Sequence, residues 1–202
     1  VHRQDYNNLG DFVSNPALHF NLPISNVIDI GDGKAIDKCI ELNNWFIIGG
    51  GGLISPHGKD RLKNIERLVN TGKAILWGTG KNSQSNEKQG VYNYPDFLKK
   101  ARLIGLRDRD QNIYPWVPCS SCMSEDFLQD RQPTVDQIVY SHIDHKIDNE
   151  SKTNHYFTKL SNCLDYLAAG KKIITSSYHG AYWGKLLGRE VVLEKTFNTK
   201  FH

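Results

Sequence analysis

Apolar clusters and glycines alternate along this chain. The run WFII at 45–48 meets GGGG, AILW at 74–77 meets GTG, and IIT at 173–175 meets SSYHG. Each reads as a buried strand that ends in a loop. Helical patterns lie between them. Leu62, Ile65, Leu68 and Val69 fall on one face of 60–70, and Phe157, Leu160, Leu164 and Leu167 do so over 156–169. Gly72 and Gly170 then stand where C-terminal caps belong. Strands alternating with helices of this length predict βαβ units, hence an α/β fold with mainly parallel sheets.

The polar stretch 123–136 (MSEDFLQDRQPTVD) contains Pro133 and precedes a new apolar segment, QIVYSHI. It is the best hinge candidate, and it divides the chain into an N-terminal α/β lobe over 1–130 and a C-terminal α/β lobe over 131–202. Residues 81–93 and 144–154 read as polar loops of the kind that close over a substrate.

Composition narrows the classes. The 202 residues are 39% hydrophobic and 23% charged, which is ordinary for a globular chain with a real core. No apolar run approaches the roughly 20 residues that span a bilayer, so no integral membrane segment is expected. The net charge of +3 is scattered, which argues against a nucleic-acid surface while leaving small anions as ligands. Four cysteines in a chain of this size do not make a disulfide scaffold, and a reducing, cytoplasmic setting fits them.

The strongest local signal is IITSSYHGAYWGKLLGREVVL at 173–193: strand, tight turn, helix, glycine stop, strand. His179 then sits near a helix N-terminus, where unpaired N–H groups and the helix dipole favour a phosphate or carboxylate, with Ser176 and Ser177 adding hydroxyls. The dipole keeps the imidazole neutral until an anion arrives and raises its pKa, which would make it a general acid. The bland alternative is a capped helix with a surface histidine. GGGG at 49–52 brings backbone close either to a ligand or to a packed neighbour, and it lacks the spacing of a standard phosphate loop. In GLRDRD at 105–110 a strand delivers Arg107 and Asp108 to its end, as an anion clamp or as a solvated surface pair, the second being the commoner use. Asn8 and Asp11 in NNLGD read locally as a turn or helix cap. Cys119-Ser-Ser-Cys122 with His142 and His145 has the wrong spacing for a zinc site, and His142 falls in an apparent strand, so loop packing after WVP is expected and no metal.

Taken in order, NNLGD, FIIGGGGLI, LWGTG, GLRDRD, WVPCSSCM and ITSSYHGAYWGKLLGREVV resemble the polysaccharide pyruvyl transferase family over nearly the whole chain. The resemblance implies two Rossmann-like lobes in a GT-B-like arrangement with the ligand between them. It also implies transfer of the enolpyruvyl group of phosphoenolpyruvate onto a sugar or glycan precursor, closing to a pyruvate ketal, with no cofactor. His179 and Arg107 would be catalytic. Asn8, Asp11, Gly50, Gly51, Gly52, Asp108, Ser176, Ser177 and Tyr178 would contact substrate. Many relatives carry Arg where this chain has Ser177. Two other functions remain open: a GT-B-like glycosyltransferase using a nucleotide sugar, which the GT-B likeness alone would permit, and a noncatalytic glycan- or anion-binding module, which Ser177 in place of that Arg supports.

Overall fold

The computed structural model describes residues 1–23, 26–56, 58–82 and 93–195. Of the polar loop expected over 81–93, residues 83–92 lie outside that set.

The chain folds as α/β, with two three-stranded parallel sheets. The first is ordered β1 (Phe46–Gly49), β2 (Ala74–Thr79), β3 (Leu103–Leu106), with Phe46 opposite Ala74 and Ile75 opposite Leu103. The second is ordered β4 (Val135–Tyr140), β5 (Gly170–Thr175), β6 (Glu190–Leu193), with Ile138 opposite Ile173 and Ile173 opposite Val191. Parallel strands covered by helices read as continuous apolar runs, as FIIG, AILW and KIIT do. The connecting helices are α2 (Gly33–Glu41) and α3 (Lys59–Asn70) in the first half, and α4 (Leu160–Ala168) and α5 (Tyr178–Leu186) in the second.

Each sheet has its own core. Ile36, Ile48, Ile65, Leu68, Leu76 and Leu106 fill one; Tyr140, Leu164, Leu167, Ile173 and Trp183 fill the other. A short N-terminal helix, α1 (Leu9–Phe12), sends Leu9 and Val13 into the second core although it precedes the first sheet in sequence. The N-terminus itself runs beside β1. Val1 donates its amino group to Ile47 O at 2.7 Å, and Gly49 N–H donates to Val1 O at 3.0 Å.

Two local expectations, at Gly170 and at His142, are corrected, and the polar stretch between the sheets takes on local structure. Gly170 is not a helix cap: Ala169 takes that position, and Gly170 opens β5 opposite Val135, where a Cβ would strike Ile138. The expected hinge over 123–136 holds a 3-10 turn at Glu125–Leu128 and already contains the start of β4. His142 lies beyond β4 in a tight turn that bridges back to His145, because Ser176 captures its backbone N–H. Among the described residues no helix is long and apolar enough to cross a membrane.

Candidate functional site

The C-terminal ends of both sheets carry the residues singled out by chemistry. β3 ends at Leu106 and hands the chain to Arg107 and Asp108. Arg107 is pinned at both backbone polar groups, its N–H donating to Thr79 O at 3.1 Å and its carbonyl accepting from Trp116 Nε1 at 2.9 Å. Its side chain crosses the face of the Tyr178 ring, with the guanidinium carbon 4.3 Å from the centroid. Gly80 makes this path possible, since a Cβ there would come within 3.0 Å of the guanidinium Nε and of Asp108.

The solvated-surface reading of the Arg107–Asp108 pair is overturned: both residues are buried. Asp108 accepts from Lys81 N–H at 2.7 Å and from the Tyr94 hydroxyl, both at Oδ2, which leaves Oδ1 facing Arg107. Burial and that hydrogen bond hold the Tyr94 phenol protonated far into base. Arg107 is not balanced in the same way. Its nearest carboxylate oxygen, on Asp108, is 3.9 Å away, and among the described residues its Nε and Nη2 have no hydrogen-bond acceptor although both are buried. Burial pulls its pKa down, but Tyr178, Asp108, Cys119 and Asp11 together leave it raised, so the cation persists. Burial likewise pushes the Tyr178 phenol up to about 12, although the Arg107 cation opposes it.

β5 ends at Thr175 and leads through Ser176 and Ser177 into α5. Ser176 Oγ accepts from His142 N–H at 2.9 Å and donates to His145 O at 2.6 Å, which secures the 142–145 turn. Ser177 caps α5 by accepting from Gly180 N–H. His179 points inward, and its ring packs 4.8 Å from that of Trp183. Gly10 of α1 faces the imidazole so closely that a Cβ there would collide with Nδ1. Asn8 caps α1, accepting from Asp11 N–H, and also accepts from Asn154 Nδ2 at 3.1 Å. The NxGD turn and the histidine are thereby brought together across 168 residues.

Ser14 joins the two halves. Its hydroxyl donates to Gly10 O at 2.6 Å, and its oxygen lies 3.4 Å from His179 Nε2 and 3.3 Å from Cys119 Sγ. A hydroxyl has one proton to give, so once it is on Gly10 O the oxygen acts as acceptor. Nε2 can donate to that oxygen in the tautomer that carries the proton there. The Cys119–Cys122 segment packs here: Ser120 Oγ donates to Ser14 O, Tyr182 to Cys119 O, and Trp183 Nε1 to Ser121 Oγ. All four cysteines are thiols.

The glycine loop divides in use. Gly50 packs against the Ser14 carbonyl, whereas Gly51, at φ +74°, faces Asp11, and Gly52 is half-buried beside it. Alongside α5 opens a pocket of about 630 Å³, walled by Arg107, Asp108, Trp116, Tyr178 and Tyr182. His179 is not on that wall. Positions 178, 181, 182, 185 and 186 of the helix face the pocket, while 179, 180, 183 and 184 face the core. Tyr178 lies between Arg107 and His179: its ring takes the Arg107 guanidinium at 4.3 Å and stands 5.2 Å from the His179 imidazole, so Arg107 is on the pocket wall and His179 on the core side of the same turn of α5.

Ser14 and Asn154 were not singled out from the sequence, and Cys119 only as half of a zinc-like spacing rather than as a neighbour of His179. Nothing local marks these roles, because their partners are about 100 residues or more away or on another loop. No family model matches the chain, and no curated protein matches it significantly.

Proposed function

We propose that this protein is a pyruvyl transferase, which moves the enolpyruvyl group of phosphoenolpyruvate onto a sugar and closes it to a ketal, within a GT-B-like pair of α/β lobes. One observation carries the reading. Arg107 is a buried, charged guanidinium whose Nε and Nη2 lack acceptors among the described residues, at the end of a parallel strand beside a helix N-terminus. A buried charge of this kind calls for an anion, and phosphoenolpyruvate offers a carboxylate and a phosphate.

In this reading a sugar hydroxyl adds to C2 of the enol phosphate and gives up its proton, forming the C2–O bond, while the double bond takes a proton at C3 and converts methylene to methyl. A second hydroxyl then attacks C2, the C2–O bond to phosphate breaks with its electron pair leaving on phosphate, and the hydroxyl proton is released. His179 assists the proton transfers, and Arg107 steadies the anionic donor throughout.

The test is phosphate release from phosphoenolpyruvate with a panel of hexose and N-acetylhexosamine acceptors. Acceptor-dependent release is expected, falling about 100-fold or more in His179→Ala while phosphoenolpyruvate still binds. Absence of release with every acceptor would sink the reading. Ser14→Ala is expected to lower turnover by about 100-fold through misplacement of the imidazole, with a displaced pH–rate profile and little change in phosphoenolpyruvate affinity. An unaltered profile would dismiss that role.

A noncatalytic anion-binding module is the second reading. It is favoured by the packing of His179 on the core side of α5, away from the pocket wall. Measured turnover excludes it.

A further inference from the structure

The pocket along α5 is larger than a three-carbon donor needs. At about 630 Å³ it has the size that encloses a drug-sized ligand. Its inner end is Arg107, and its floor is apolar, built from Pro118, Ala181 and Val191. Two further cations stand on its lining, Arg109 and Lys185, both exposed. Arg109 lies over the Trp116 indole, 4.3 Å from the ring centroid, and Tyr182 stacks on Tyr178 at 5.8 Å. Among the described residues the one carboxylate on the wall is Asp108, whose Oδ2 is already engaged by Lys81 and Tyr94. The pocket therefore combines flat aromatic faces, an apolar floor and an excess of positive charge.

Aromatic faces over an apolar floor suit the ring of a sugar, but they do not account for two cations beyond Arg107. An acceptor that brings its own negative charge does. Resting on the pyruvyl-transfer reading, we infer that the acceptor is a glycosyl phosphate rather than a neutral glycan, bound in this pocket with its sugar ring against Trp116 and Tyr182 and its phosphate between Arg109 and Lys185. The phosphate can be free, or part of a nucleotide or lipid diphosphate carrier; the chemistry recognised is the same.

Calorimetric titration with matched pairs tests this directly: a hexose against its 1-phosphate, its uridine diphosphate derivative, and its polyprenyl diphosphate derivative in detergent. At least one phosphorylated form is expected to bind 10-fold or more tightly than the free hexose. Arg109→Ala and Lys185→Ala should each weaken that binding 10-fold or more, and should change phosphoenolpyruvate affinity less than 2-fold. Both side chains are exposed, and thermal melts of the variants should match the parent. Equal binding of free and phosphorylated hexose overturns the inference, as does affinity insensitive to both substitutions, or no binding of any form. The two readings fail separately. Charge-dependent binding without phosphate release from phosphoenolpyruvate removes pyruvyl transfer and keeps the pocket, whereas release with neutral hexoses alone removes the anionic acceptor and keeps pyruvyl transfer.

Discussion

Arg107→Met is expected to weaken phosphoenolpyruvate binding by about 100-fold, equivalent to about 2.7 kcal/mol, while leaving the melting temperature within a few degrees of the parent or above it. The two outcomes have one cause. A buried donor without an acceptor costs about 1–3 kcal/mol, and Arg107 has two such nitrogens among the described residues. Methionine keeps much of the stem's volume and removes that penalty. The losses are the cation–π contact with Tyr178, worth up to about 2 kcal/mol, and a distant pairing with Asp108, which retains its partners Lys81 and Tyr94. The terms nearly cancel in the unliganded protein. With an anion bound they do not, since charge-assisted hydrogen bonds contribute about 1.5–3 kcal/mol each. Calorimetry with phosphoenolpyruvate and a thermal melt on the same sample check both halves. A fall in melting temperature of more than about 10 °C with unchanged binding would make Arg107 a structural cation and remove the main support for an anion site.

Gly50→Ala is expected to lower the melting temperature by about 4–20 °C, and Gly72→Ala by about 2–8 °C, for a chain in which 1 kcal/mol corresponds to about 2–4 °C. Both glycines have positive φ, +58° at Gly50 and +71° at Gly72. Forcing alanine into that region costs about 1–2 kcal/mol at either site. What separates them is the neighbourhood. Nothing lies within 4 Å of a Cβ added to Gly72, whereas at Gly50 it would sit inside the Ser14 carbonyl. That obstacle is backbone, and relieving it adds about 1–3 kcal/mol of overpacking strain. Moving Ser14 also disturbs its contacts with Cys119 and His179, so Gly50→Ala should reduce turnover beyond the loss of folded protein. Paired melts of the two variants decide the matter; equal shifts would mean that the loop yields and Ser14 is not held by it.

Much of this architecture was legible in local pattern. The apolar runs at 45–48, 74–77 and 173–175 became β1, β2 and β5, and the strand, helix and strand of 173–193 formed with Gly188 as the stop at φ +70°. Period and punctuation dictate such elements because each answers to hydrogen bonding and burial within its own segment. Gly170 was misread because a glycine after an apolar helix stripe looks the same whether it caps the helix or opens the next strand. Only pairing with Val135 separates the two.

The chemistry-bearing residues divide along the same line. That Arg107 and His179 each follow a strand is local information. That Arg107 is buried, crosses Tyr178 and keeps two nitrogens without acceptors among the described residues depends on where β3, Gly80 and α5 meet. The inward turn of His179 depends on Gly10 and Ser14, more than 160 residues earlier in the chain. Periodicity specifies which face of a helix is apolar, but not which distant backbone will approach it. The residue types and strand ends were therefore readable from order alone, while the pairing of α1 with α5 and the unequal engagement of Asp108 and Arg107 came from packing, because burial and hydrogen-bond partners belong to the assembled chain.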